Sequence, residues 1–361
     1  MPWILFCATH DAVAFCDHTS GYYGRYRVGH SLIGAQHYYT SELLRVDTLI
    51  HIGEVSGDYY AKIRPTNVWR VSEDGELRDS FGCLNKVFQM KETTFFESYS
   101  GKEHFTSYLD SCKKEYQAAY DKIPELAFGN IWIAKHIHKE LPTGSTIHLG
   151  ILNTLRSWNF FNIPQGVHSD CNVGGFGIDG ILSTLIGASL TNKDKIFYAI
   201  VGDLAFFYDM NSLGNRHVGR NVRILLINNG RGTEFRNYDH PGSSFCEDAD
   251  PYIAAANHYG RQSRNLVKHY AEDLGFDYMT ASCKEEFIAI KDRFLTQEIT
   301  ACPMLFEVFT NSEDESTALK QIRSMLVDDA HSQTGDPFLK STVKAFLGKS
   351  GTKTLKRILG K

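Results

Sequence analysis

An α/β fold with a parallel sheet covered on both faces is what the sequence predicts for the larger part of this 361-residue chain. Three observations carry that prediction. From Ser145 onward, apolar runs of strand length alternate with helical patterns. The runs are apolar throughout rather than at every second residue, as expected of strands buried on both faces. Two of them end in polar groups just past the last apolar residue, at Gly202-Asp203 and at Asn228-Asn229-Gly230.

In chain order, the opening "MPWILFCATHDAVAFCD" is apolar but has neither a basic leading segment nor a small-residue cleavage site, so it does not read as a signal peptide. The first hundred or so residues read as short strands and loops. Ala12 to Asp17, Thr48 to Glu54 and Asn67 to Ser72 are apolar runs of strand length, and Asp74-Gly75 marks a turn. This part is expected to form a smaller α/β sheet. Lys102 to Ile123 and Phe128 to Leu141 have helical spacing, punctuated by Pro124 and Pro142. The boundary is expected near residues 122–128, giving a smaller domain over 1–125 and a larger one over 126–330.

Within the larger domain "STIHLG" reads as a strand, "ILNTLRSWNFF" as helical and "GVHSD" as a short strand. The Gly-rich loop "NVGGFGIDG" leads into the helix "ILSTLIGASL". The strand "KIFYAIVGD", a helix from Leu204 to Asn215 and the strand "NVRILLINN" follow. "NLVKHYAEDLG", "FDYMTAS", "KEEFIAIKDRFL" and "PMLFEVF" continue the alternation. Residues 331–361 are expected to be a tail, whose last part, Ser341 to Lys361, carries six Lys or Arg and no acid.

The composition narrows the function classes. Hydrophobic residues at 42% and charged residues at 22% are ordinary for a globular chain. A net charge of −4 gives no reason to expect a nucleic-acid partner. No apolar run approaches the ~20 residues that span a bilayer. Eight cysteines are scattered without CxxC or zinc-like spacing, so reduced thiols and a cytoplasmic location are expected.

Ligands of open parallel sheets bind outside the carboxyl ends of the strands. If the strands ending at Asp203 and Asn229 are neighbours in a right-handed βαβ unit, both side chains reach one crevice. A carboxylate oxygen, a carboxamide oxygen and a backbone carbonyl make a hard oxygen set, suited to Mg²⁺ or Ca²⁺ and leaving positions for phosphate oxygens. The helix starting near Leu204 directs its first amides there, which favours an anion. The residues therefore predict a Mg²⁺-diphosphate site. "VGGFGIDG" is not a proper dinucleotide fingerprint, and no ribose-binding acid follows it at the required distance, which disfavours a dinucleotide oxidoreductase.

Gly202-Asp203-Leu204, with Tyr208-Asp209, Asn211 and Leu213 behind it and Asn228-Asn229 at the next strand end, resembles the diphosphate-binding motif of thiamine diphosphate (ThDP) enzymes. Together with "GGFGIDGILST", Gly174 to Thr184, it is most similar to the menaquinone-pathway carboligases, the 2-succinyl-5-enolpyruvyl-6-hydroxy-3-cyclohexene-1-carboxylate (SEPHCHC) synthases. The resemblance implies a three-layer ThDP-binding fold, preceded by a truncated smaller central α/β domain. It implies Asp203 and Asn229 as side-chain Mg²⁺ ligands and Arg231 as a backbone-carbonyl ligand. Leu204 and Ala205 would offer amides to the diphosphate. Ile178 would prop the cofactor in a bent shape, with the Phe176 carbonyl near its aminopyrimidine.

The implied reaction decarboxylates a 2-oxoacid and passes its acyl group to an acceptor, with Arg156 and Glu234 as candidates to position the substrate. Two departures stand out. Leu152 takes the place of a hydroxyl residue in "GNSxxxR", and Cys171 replaces the arginine of "SNRG", removing a bidentate anion clamp. In this family a pyrimidine-binding domain supplies the activating glutamate, and the sequence opens almost at the central domain. The expectation is a truncated enzyme, or a non-catalytic ThDP-binding subunit working with a separate pyrimidine-domain polypeptide. A homo-oligomer is expected by resemblance.

Overall fold

The computed structural model describes residues 2–53, 60, 62–99, 101, 107–173, 177–249 and 263–327. Phe176 and the 331–361 tail lie outside the described residues.

The chain opens with helix α1 (Pro2–His10), then the two-residue strands β1 (Ala14–Phe15) and β2 (Arg27–Val28), which pair in parallel. Helix α2 (Ser31–Gly34) precedes strands β3 (Arg45–Ile52), β4 (Arg64–Ser72) and β5 (Leu84–Gln89), a three-stranded parallel sheet. Helices α3 (Glu92–Ser98) and α4 (Tyr108–Tyr120) follow. Helix α1 replaces the loop expected at the start. It is apolar nearly all round, so no 3.6-residue stripe marks it. It is held by side chains from afar, with Phe6 packed edge-on against Phe96 of α3 at 5.1 Å.

After α5 (Asn130–Ile137) come β6 (Thr146–Leu149), α6 (Asn153–Trp158), β7 (His168–Cys171), α7 (Ile181–Ser189), β8 (Phe197–Gly202), α8 (Asp203–Asp209) and β9 (Val222–Asn228). A short 3-10 turn, Thr233–Arg236, leads away from β9. Then follow α9 (Leu266–Asp273), β10 (Asp277–Ala281), α10 (Lys284–Phe294), β11 (Met304–Phe309) and α11 (Ser312–Arg323). The strands form one six-stranded parallel sheet in the order β10-β11-β9-β8-β6-β7. The α/β class with a doubly covered parallel sheet is as the sequence predicts.

Alternation along each strand builds the two covered faces. Tyr198 and Ile200 of β8, with Leu225 and Ile227 of β9, pack against α5, α6, α10 and α11. Phe197, Ala199 and Val201, with Ile224 and Leu226, pack against α7, α8 and α9. Both faces are apolar, which is why the strands read as unbroken apolar runs. The chain runs from β6 outward to β7, then returns to the other side of β6 as β8. The order reverses there, and the crevice of an open sheet sits at such a reversal.

Leu32, Ile33, Ala35 and Leu44 share the larger core cluster with Trp132, Trp158 and Phe306 of the six-stranded layer. Polar contacts reinforce the seam. The His18 ring nitrogen Nε2 lies 3.0 and 2.9 Å from the carbonyls of Trp158 and Phe161, and Gln36 Nε2 donates to the Ile322 carbonyl at 2.8 Å. All eight cysteines are free thiols. Among the described residues no helix is long and apolar enough to cross a membrane.

Candidate functional site

The carboxyl ends of β6, β8 and β9 gather the polar groups that the sequence singled out. β8 ends at Gly202, and Asp203 begins α8; β9 ends at Asn228, so Asn229 and Gly230 form the following turn. Because β8 and β9 are adjacent and parallel, with Gly202 opposite Ile227, the two polar ends lie side by side. Gly230 has φ +70°, the left-handed conformation that makes this turn a glycine position.

Asp203 is 5% exposed, and burial drives its carboxyl up to about 7, with backbone amides of Leu204 and Gly230 pulling the other way and the Glu315 charge adding to the rise. The Leu204 amide is turned onto Asp203 Oδ1 at 2.8 Å, so here it serves the aspartate itself. Ala205 is buried in the first turn of α8, where helix amides have no intrahelical partner. Asn229 Oδ1 accepts from the Arg231 amide at 3.0 Å, while its Nδ2 donates to Thr233 Oγ1 at 2.5 Å. That fixes the carboxamide, leaving a lone pair on Oδ1 for a further contact. Ile178 is half-buried against the cluster that includes Ile181, Ala205 and Phe206.

Two acids complete the picture. Glu315 of α11 is buried and accepts from Asn153 Nδ2 at 2.9 Å and Thr310 Oγ1 at 2.6 Å, with Asn229 Nδ2 at 3.5 Å. Burial raises its carboxyl as well. Glu307 of β11 is 1% exposed and holds Asn228 Nδ2 and the Tyr278 hydroxyl, each at 2.7 Å. Neither Asp203 nor Glu315 has a basic partner among the described residues. A cleft of about 330 Å³ opens beside Asn229, lined also by Phe207, Asn228, Gly230, Arg264, Glu307 and Thr310. A second cleft of about 430 Å³ shares Arg264 and Phe309 with it.

Arg156 and Glu234 meet each other. Arg156 lies on α6 after β6, and Glu234 on the turn after β9; the Arg156 Nη1 donates to Glu234 Oε1 in a largely buried ion pair. Leu152, at the start of α6, has φ +68° and ψ −120°, a conformation that costs a residue with a Cβ on the order of 1–3 kcal/mol. Cys171 ends β7, and burial pushes its thiol up to about 12.

No protein-family profile matches the chain. Curated relatives do. A protein from Phocaeicola vulgatus named 2-succinyl-5-enolpyruvyl-6-hydroxy-3-cyclohexene-1-carboxylate synthase is 34% identical over 263 residues, 71% of this chain. Proteins of the same name from Bacteroides fragilis and Bacteroides thetaiotaomicron are each 31% identical over 73% of it. The chain is similar to SEPHCHC synthases. It spans less than half the length of these curated synthases, 44% of the first and 46% of the other two.

Glu315 and Glu307 were not singled out by the sequence reading. A signal for Glu307 existed: a lone acid inside the apolar run "PMLFEVF" is a rarely buried residue type at a buried position. Glu315 carried none, because it sits among Glu313 and Asp314 in a first turn where acids are ordinary.

Proposed function

We propose that the chain holds the diphosphate end of ThDP through Mg²⁺, as part of a 2-oxoacid decarboxylase and carboligase related to SEPHCHC synthases. The observation that supports this reading best is two buried carboxylates, Asp203 and Glu315, neither with a basic partner among the described residues, near Asn229, which itself lines an open cleft. Like charges sharing a buried site call for a cation. Among the described residues no three His, Cys, Asp or Glu side chains gather into a metal cage. A metal there would therefore need neutral oxygens and ligand phosphates, which is how Mg²⁺ is commonly bound.

In this reading Asp203 and Asn229 hold Mg²⁺ with the Arg231 carbonyl. Glu315 and Thr233 orient Asn229, and the first turn of α8, through Ala205, faces the anion. Ile178 backs the cofactor. When bound, ThDP supplies the carbon nucleophile needed to decarboxylate a 2-oxoacid and carry its acyl group to an acceptor. The pyrimidine end and its activating glutamate come from a partner subunit or another stretch of polypeptide, and a homo-oligomer is the simplest assembly. A cytoplasmic location belongs to the same proposal.

Calorimetry with ThDP and Mg²⁺ tests the site, on the chain and on whatever polypeptide co-purifies with it. The parent is expected to bind, and Asp203→Ala to lose at least about tenfold, or ~1.4 kcal/mol. No binding to the parent, or equal binding by both, would sink the assignment. A second polypeptide held at fixed stoichiometry favours the non-catalytic subunit form, in which this chain contributes cofactor binding alone.

A further inference from the structure

Strand β11 carries one acid in an otherwise apolar run, Glu307, and the packing of the sheet gives no reason for it. Leu305 and Glu307 point to the same face, and Leu305 belongs there to the apolar cluster beneath α7, α8 and α9. An apolar side chain at 307 would extend that cluster, whereas a carboxyl that is 1% exposed costs stability unless it is paired. No cation pairs with it among the described residues. Arg264, which lines the same cleft of about 330 Å³, donates Nη2 to Ser282 Oγ at 2.7 Å and lies 4.1 Å over the Phe309 ring. Its charge reaches Glu307 only through space. What Glu307 does have is two donors, Asn228 Nδ2 on Oε1 and the Tyr278 hydroxyl on Oε2, each at 2.7 Å.

Only the first of these leads to the site. Tyr278 sits on β10, the outermost strand, while Asn228 is the last residue of β9. With its Nδ2 committed to Glu307, Asn228 turns its Oδ1 to the Gly230 amide at 3.2 Å. That contact closes the turn through Asn229, and the same amide favours the ionised form of Asp203. A carboxamide has a donor end and an acceptor end. Turned over, Asn228 would set its Nδ2 against the Gly230 N–H, donor against donor. An acceptor oxygen at Glu307 selects the one orientation that builds the turn.

We propose that Glu307 is a positioning residue: it holds the Asn228 carboxamide, Asn228 sets the turn, and the turn presents Asn229 to the ligand beside Asp203. Each of the two asparagines then has its own buried acid, Glu307 for Asn228 and Glu315 for Asn229. The proposal rests on the Mg²⁺-ThDP reading for what Asn229 holds, and it adds a residue that acts on that site only through Asn228.

The test is calorimetry with ThDP in the presence of Mg²⁺, on the full chain with any polypeptide that co-purifies, below the melting temperature of every variant. Glu307→Leu is expected to bind at least about tenfold more weakly than the parent, and Glu307→Gln, which keeps an acceptor oxygen, within about threefold of it. Tyr278→Phe removes the donor from the other oxygen, so it is expected to lower the melting temperature and hold the affinity within about threefold. Asn228→Ala is expected to match Glu307→Leu, with the two combined losing no more than either alone. Parent-like binding by Glu307→Leu overturns the proposal, as do additive losses in the combined variant or a loss in Tyr278→Phe as large as in Glu307→Leu. Should Glu307→Leu not fold, Asn228→Ala against Tyr278→Phe decides: a loss in the first alone supports the proposal, and equal results overturn it. A parent that binds no ThDP sinks the cofactor reading and the proposal together. A parent that binds, with no loss on substitution, sinks the proposal alone.

Discussion

At Asp203 a carboxyl with an ordinary value of 3.8 is raised to about 7 by burial, and the sign of its effect on stability follows. Between those values the native state binds more protons than the unfolded chain. This group's contribution is therefore most favourable at low pH and is lost as pH rises toward 7. Asp203→Asn should flatten that dependence, and its gain in stability over the parent, read from urea unfolding, should be larger at about pH 8 than at about pH 5 by on the order of 2–3 kcal/mol. A variant that tracks the parent at both would show that the carboxyl is not strained by burial. In the proposed site Mg²⁺ would take the ionised form, so its binding should strengthen as pH rises through the same window. The acid was legible at the end of an apolar strand. Glu315, whose charge adds to the rise, was not, because it comes from a helix more than a hundred residues on.

Among the elements, β9 and α10 show how a strand that reads as apolar can hide a charged job. Arg223 in "NVRILLINN" is wholly buried. Its guanidinium donates to the carbonyls of Phe294, Thr296 and Glu298 and to the Tyr198 hydroxyl, at 2.5 to 3.0 Å. It thereby satisfies carbonyls at and beyond the end of α10, where cations are favoured. Arg223→Met should cost roughly 3 kcal/mol, because buried carbonyls lose their donors while the apolar packing remains. A shift in urea midpoint below a third of that would mean water replaces the arginine. Strand and helix identities beyond Ser145 could be read from apolar run length and period alone. The extent of β1 could not: Ala12 to Asp17 reads as a full strand, yet only Ala14–Phe15 pairs, because its one neighbour, β2, is itself two residues long.

For the molecule as a whole, the seam between the first part of the chain and the six-stranded layer is a core rather than a linker. Gln36 donates to the carbonyls of Leu32 and Ile322 and accepts from the Leu326 amide. Arg323 pairs with Asp239 and reaches the Ala35 carbonyl. Gln36→Ala leaves those buried groups unmet and should cost about 1–3 kcal/mol. Unfolding followed by tryptophan fluorescence should show the loss in the main transition, since Leu32 and Ile33 share a cluster with Trp132 and Trp158. A change confined to an early, separate step would mean the two parts unfold independently.

The sequence by itself determined the α/β class, the run of strands and helices past Ser145, and the placing of Asp203 and Asn229 at strand ends, because apolar period and turn chemistry are local properties of the chain. Only the tertiary structure decided that Glu315 stands behind Asn229 and that Arg156 already has a carboxylate. Both depend on strand order, and strand order is set by which buried faces pack together, not by the sequence near any one residue.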